Sequence, residues 1–236
     1  MLAAEALRLA AVEVLSPTAS QPNGPFPTLA GRLVYDSRGA PLEDLRQDAP
    51  YTPILSLYTP ESGVKLRGSQ AAASDSEADA WLDIIAELAV KSSQDGVDFV
   101  DAMAGDDPEA RLVLAALCAQ VRRLLERSQA GGLWRRLVRS IEETEYKTYA
   151  VPDFGLRWHR VTIRMHCSIR DDDLSMDSAG LPEPLRSVYE ALPDGSYAKE
   201  KLAALAAHFA AETLPALNEV HLNTGLVESG PDELSS

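Results

Sequence analysis

Apolar positions recur along this chain with two different periods, and the switches between them mark out its elements. Over residues 2–15, Leu2, Ala6, Leu9 and Val12 fall on one stripe at helical spacing, with alanines between them. Ser16-Pro17 ends that helix, because proline cannot extend the hydrogen-bond ladder. A Pro-rich connection over residues 16–27 holds Asn23-Gly24, a turn dipeptide. The stretches RLVYD (32–36) and PILSLYT (53–59) are β-prone and predict two strands around a turn-rich loop at 37–48. In the second, Ile54, Leu55, Leu57 and Tyr58 point to burial on both faces or to a contact between subunits. Residues 68–76 are small and polar, as in a mobile loop. Over residues 79–90, Leu82, Ile84, Ala86, Leu88 and Val90 alternate with Asp83, Ile85, Glu87 and Ala89. Period two predicts a strand there, against the helix propensity of Ala, Leu and Glu.

The period then lengthens. Residues 108–128 predict a helix with Asp107 as N-cap and Pro108 in the first turn. Its expected inner stripe is Leu112, Ala115 or Ala116, Ala119 and Leu124 or Leu125; Arg122, Arg123 and Arg127 suit its C-terminal dipole, and Gly131-Gly132 stops it. Period two returns in a long hairpin, 138–149 and 157–169, joined by turn chemistry at Val151-Pro152-Asp153-Phe154-Gly155. Its second strand puts His159, Val161, Ile163, Met165, Cys167 and Ile169 on one face. Trp158, Arg160, Thr162, Arg164, His166 and Ser168 take the other. After Asp171-Asp172-Asp173, residues 183–192 and 197–214 predict two helices, the longer with an apolar stripe of Leu202, Leu205 and Phe209. The acidic end, 224–236, is expected to be disordered. These elements predict an α+β fold: a mostly antiparallel sheet with helices on one face over residues 1–170, a helical extension over 171–223, and the tail.

Composition changes this picture little. With 45% hydrophobic and 25% charged residues in 236, the chain can bury a core. Charge matters more. The total is −14, which argues against tight nonspecific binding to DNA or anionic membrane. Residues 111–170 nevertheless hold 12 Lys/Arg against 5 Asp/Glu, a net of +7 that leaves −21 for the remainder. Solvated faces explain such a division as well as a self-complementary subunit does; head-to-tail rings need two different surfaces of the latter kind. Two cysteines, Cys118 and Cys167, lie in different predicted elements, so a reducing compartment is expected. Residues 1–15 lack the pattern of a signal peptide, and no stretch reaches the length of a membrane span.

Candidate chemistry is sparse. Phosphate-loop, dinucleotide, nucleophile-elbow and zinc-protease motifs are absent from the sequence. His159 and His166 stand an odd number of residues apart on one strand, so they face opposite ways and do not share a metal. Asp171-Asp172-Asp173 is expected to be a solvated connector rather than a cation site. Glu142, Glu143 and Glu145 carry no pocket signal and read as surface or interface residues. No catalytic, cofactor or metal-binding residue is assigned. The candidate interface residues are Arg160, Arg164, Glu143, Glu145, Lys147 and Tyr58.

The order of elements carries a resemblance. A helix precedes LAGRLVYDSRGAPL (29–42) and PILSLYT; then come ADAWLDIIAELAV (78–90), the 108–128 helix, IEETEYKTY (141–149) and PDFGLRW leading into the last strand. Over about residues 1–170 this resembles the tail terminator family of tailed phages and related particles. The resemblance implies a small α+β fold and a hexameric ring at the head-proximal end of the tail tube. Its partners would be further copies of the chain, the tail tube protein and the head–tail connector or a head-completion protein. Genome DNA would pass through the lumen without specific binding. Virion location, assembly in the host cytoplasm, and the absence of enzymatic activity, cofactor and membrane contact follow from the same resemblance. A head-completion or neck protein is the alternative reading, and an enzyme without a recognisable motif the remote one.

Overall fold

The structure, a computed structural model, describes residues 1–46, 48–66, 76–105, 107–151, 156–173 and 180–209. It is an α+β fold built on a mixed six-stranded sheet. The strands are β1 (Val34–Asp36), β2 (Thr52–Leu66), β3 (Ser76–Gln94), β4 (Val97–Ala102), β5 (Val138–Val151) and β6 (Leu156–Ile169). Their order is β1-β2-β3-β6-β5, with β4 paired to the C-terminal part of β3. Only β1 and β2 run parallel; the other pairings are antiparallel.

β3 is the centre of the fold, and its alternation explains why. Ala78, Ala80, Leu82, Ile84, Ala86 and Leu88 are all buried on one face. On the same face β2 contributes Leu55 and Leu57, and β6 contributes Val161, Ile163, Met165, Cys167 and Ile169. The helices α1 (Leu2–Leu15), α2 (Pro108–Arg122), α3 (Gly132–Arg135), α4 (Leu185–Ala191) and α5 (Tyr197–Ala206) close this face into one core. A second, smaller cluster of Leu33, Tyr35, Ile54 and Ala89 lies on the opposite face, beneath the loop that carries Leu45.

α1 differs from the one-sided stripe expected of it. It touches β1, β2 and β3 and also α3, α4 and α5. Consequently Ala3, Ala4, Leu7, Ala10, Ala11 and Leu15 are buried along with Ala6 and Leu9. A helix apolar all round belongs between layers, and the alanines allow the close approach. α4 and α5 supply Leu185, Val188, Leu192, Ala198 and Leu202 to the same core, with Leu205 and Phe209 packed at its margin. The expected stripe of the 197–214 helix is thus seated on α1; its residues beyond 209, like the 224–236 tail, lie outside the described residues.

α2 starts as expected, with the Asp107 side chain accepting from the Glu109 amide and Pro108 in the first turn. Its buried face is another matter. Ala110, Leu114, Leu117, Cys118 and Val121 face the core, whereas Leu112 is 70% exposed and Ala115, Ala116 and Ala119 are exposed. Two apolar stripes share this helix: of the residues expected inside, Leu112, Ala115, Ala116 and Ala119 lie outside, while Leu124 and Leu125 are buried as expected. The helix continues through a wide turn, Arg123–Arg127, and breaks at Ser128, before the glycines expected to stop it. Gly131 is required instead by close packing, because a Cβ there would run into the Leu124 and Leu125 carbonyls.

The predicted strands at 32–36, 53–59, 79–90, 138–149 and 157–169 correspond to β1, β2, β3, β5 and β6. β3 is longer than expected and turns back into β4 through Asp95-Gly96, both with positive φ, as a tight two-residue hairpin requires. β5 carries irregularities at Val138/Ser140, Ile141/Glu143 and Thr148/Ala150. Its alternation is therefore not in one phase: Ile141 stands opposite Cys167 and Glu143 opposite His166. The loop predicted at 68–76 falls outside the described residues except for Ser76, which begins β3; the turn at 152–155 is also outside them.

Asp171-Asp172-Asp173 is not the solvated connector expected. Asp172 accepts from the Leu2 amide at 2.9 Å, the Ala3 amide at 2.6 Å and the Met1 amine at 2.8 Å. It thereby caps α1 from 170 residues away, filling the role that no local side chain fills. Asp171 accepts from the Ser76 hydroxyl, and the Asp173 amide donates to the Glu183 carbonyl. A carboxylate at a helix N-terminus satisfies orphan amides and complements the dipole. Asp172→Ala is expected to lower stability by about 1–2 kcal/mol, read as a shift in the denaturant midpoint with unchanged slope.

Candidate interface on the polar face of the sheet

The face of the sheet turned away from the helices is where chemistry-bearing side chains collect. Alternation along β3 sends Asp79, Trp81, Asp83, Ile85 and Glu87 there, and β6 sends Arg160, Thr162, Arg164 and His166. β5 adds Glu143, Glu145 and Lys147, and β2 adds Tyr58. The register sets these in rows across the strands. Tyr58, Asp83, Arg164 and Glu145 form one row; Trp81, His166 and Glu143 form the next. All six sequence-predicted interface residues share this face.

Most of its charges are paired within the subunit. The Arg160 Nε donates to Glu87 at 2.5 Å, and its other end lies 3.6 Å from Asp101. Arg164 donates to Glu61 at 2.5 Å and lies 3.6 Å from Asp83. Lys147 pairs with Glu145 at 2.6 Å. The Arg164 guanidinium sits 4.5 Å from the Trp81 ring centre, and His166 stacks on that indole with centroids 4.2 Å apart and planes 9° from parallel. The His166 ring nitrogens meet Asp79 at 3.3 Å and Glu142 at 3.1 Å. His159 is buried on the opposite face, as the odd spacing of the two histidines requires.

Asp83 is the strained member of this group. Its Oδ1 and the Arg164 Nε are both buried without a hydrogen bond. Burial pushes the Asp83 carboxyl above its usual range, and Arg164 only partly offsets that. A carboxyl pKa raised on folding costs stability in the ionised form, at pH above the folded pKa, and the cost disappears as pH falls through that value. Asp83→Asn is therefore expected to be more stable than the parent at neutral pH, with the difference shrinking toward acid. Paired denaturation curves across pH 4–8 measure it; a difference independent of pH would assign the effect to packing instead.

The face is half-exposed, and several clefts lie away from it. A cleft of about 1110 Å³ opens beside Arg139, Arg170 and the three aspartates. Asp171 and Asp172 there are already engaged by Ser76 and by the start of α1. Among the described residues no group of three or more His, Cys, Asp or Glu is placed to hold a metal ion. Burial pushes the Cys118 thiol up to about 11 and the Cys167 thiol up to about 12, so both stay protonated at neutral pH. Among the described residues no helix is long and apolar enough to cross a membrane.

No protein-family model matches this chain, and a search of curated proteins gives no match either.

Sequence reasoning placed the strand faces but missed Trp81, Asp83 and Glu61 as the partners that organise Arg164. Their signal is the period-two pattern itself: once β3 and β6 are neighbours, the polar positions of one must meet those of the other. Which residue meets which depends on register, and register is a tertiary property.

Proposed function

We propose that this chain is a structural subunit of a phage-type particle, forming a ring that caps the tail tube and joins it to the head connector. The observation that supports this most is the unequal treatment of the sheet. Helices cover most of one face, while the other stays half-exposed and carries aromatic rings and ordered ion pairs. Such a surface is suited to docking. The order of elements resembles that of tail terminators, and the +7 segment against a −21 remainder provides the two different surfaces a closed ring needs. Net negative charge lets duplex DNA pass through the lumen without sticking.

Light scattering on the purified protein tests the reading: a mass several times 25.5 kDa, six times for the expected hexamer, that persists at micromolar concentration. Negative-stain images should show rings. Arg164→Glu places a carboxylate beside Glu61, Asp83 and Glu145 and is expected to keep the circular dichroism spectrum while weakening assembly at least about tenfold. A protein that stays monomeric at high concentration and inside intact particles would overturn the proposal.

A further inference from the structure

Two exposed apolar features remain, and neither is covered within the subunit. The first is the β3–β4 ribbon. β2 stops pairing with β3 at Ala89 and β6 stops at Glu87, so beyond Ala89 the chain is a two-stranded ribbon closed by Asp95-Gly96. It reaches about 15 Å past the last shared pair at the rise of a strand. Val97 is 67% and Phe99 38% exposed, and their i, i+2 spacing puts both on one side of the ribbon. The ribbon also carries Asp95, Asp98 and Asp101; Lys91 pairs with Asp98 at 2.6 Å and Arg160 lies 3.6 Å from Asp101. A two-stranded ribbon is marginal alone in water, and an exposed phenylalanine at its end is an anchor without a socket.

The second feature is a groove of about 310 Å³ between α2 and β5, lined by Ala115, Cys118, Ala119 and Tyr146. Leu112 and Ala116 lie exposed on the outward stripe of the same helix. Its charge is opposite to that of the ribbon. Arg111 and Arg123 are exposed and have no ion-pair partner among the described residues, and Arg122 pairs with Glu126. An exposed apolar stripe on an otherwise well-packed helix needs a partner.

We infer that the β3–β4 ribbon of one copy inserts Val97 and Phe99 into the α2–β5 groove of the next, with Asp95 at the ribbon's tip meeting Arg111 at the groove's edge. The occupant is a second copy of this chain because knob and hole match in both polarity and charge while belonging to different surfaces. A contact between unlike surfaces is heterologous, and repeated by rotation it closes a ring. The inference rests on the ring proposed above and names the contact that would build it.

Cross-linking tests the contact in the full chain. In a Cys118→Ala background, Val97→Cys and Ala115→Cys together should give, on mild oxidation, a ladder of covalent oligomers ending at the ring. An equimolar mixture of the two single variants should stop at dimers. Phe99→Asp should keep the circular dichroism spectrum and raise the concentration needed for assembly at least about tenfold. A parent protein that forms rings while the double variant yields no ladder overturns this contact and leaves the ring reading standing. A parent protein that is monomeric throughout overturns both, and single-variant homodimers as the main product would show a symmetric contact instead.

Discussion

Ile163→Asp is expected to leave no folded protein. Ile163 is fully buried on β6, with Ile84 opposite it on β3 and Tyr146 on β5, in the middle of the face that α1 and α2 cover. Losing an isoleucine from such a site costs about 2–5 kcal/mol. The carboxylate adds more, because an unpaired buried charge is penalised by several kcal/mol even after relaxation. Together these match the whole stability of an ordinary domain, about 5–15 kcal/mol. The expected result is insoluble expression or a far-UV spectrum without the sheet signal. Thr162→Asp, one residue away on the polar face, is the control and should fold, because a one-residue step reverses the side. If Ile163→Asp folds and Thr162→Asp does not, the register of β6 is wrong by one.

The second large effect lies in the ion pair beneath the N-terminal helix. Arg8 donates from Nε to Asp36 at 2.5 Å and from Nη1 to the Thr59 hydroxyl at 2.6 Å, and it also pairs with Glu5. Asp36 accepts a further bond from the Tyr197 hydroxyl at 3.0 Å. This single carboxylate therefore joins α1, β1 and α5. The Arg8 and Asp36 side chains are 11% and 10% exposed. Burial opposes the charge on Arg8, but hydrogen bonds to Glu5 and Asp36 outweigh it and raise its pKa. Asp36→Ala leaves the guanidinium buried with part of its shell missing, at an expected cost of about 3 kcal/mol. In a chain of this size that is a drop of roughly 6–12 °C in Tm. Glu5 and Thr59 retain part of the shell, which holds the loss at the lower end of the usual range. Arg8→Met with Asp36→Leu should recover most of it, because a buried pair replaced whole by apolar groups loses little. A double variant as unstable as Asp36→Ala would mean that the bonds to Tyr197 and Thr59, not the ion pair, hold the three elements together.

Neither variant touches the proposed contacts between subunits, but only Asp36→Ala leaves a folded subunit whose assembly can be measured. Ile163→Asp removes the subunit itself, while Asp36→Ala lowers stability and leaves the ribbon, the groove and the polar sheet face in place.

By itself the sequence determined where period two and period 3.6 apply, and with them the strands β1, β2, β3, β5 and β6, the starts of α1 and α2, and which face of β6 is apolar. Those follow from alternation along single segments, where neighbours in sequence are also neighbours on a face. Tertiary structure decided what a periodic pattern leaves open. α2 has two apolar stripes, and only its seating on β3 and β6 selected Leu114, Leu117 and Val121 over Leu112, Ala115 and Ala119. α1 is buried all round because other helices pack behind it, which its own residues do not specify. β4 was not among the expected elements, and its pattern is weak because its ribbon lacks a sheet to bury against. Asp172 caps α1 across 170 residues, and Arg164 takes its partners from β2 and β3. Contacts of that kind depend on register and on chain return. The physical reason is range: helix and strand periodicity is a property of a dozen adjacent residues, whereas the choice of face, cap and ion-pair partner is made only when distant segments compete for the same buried surface.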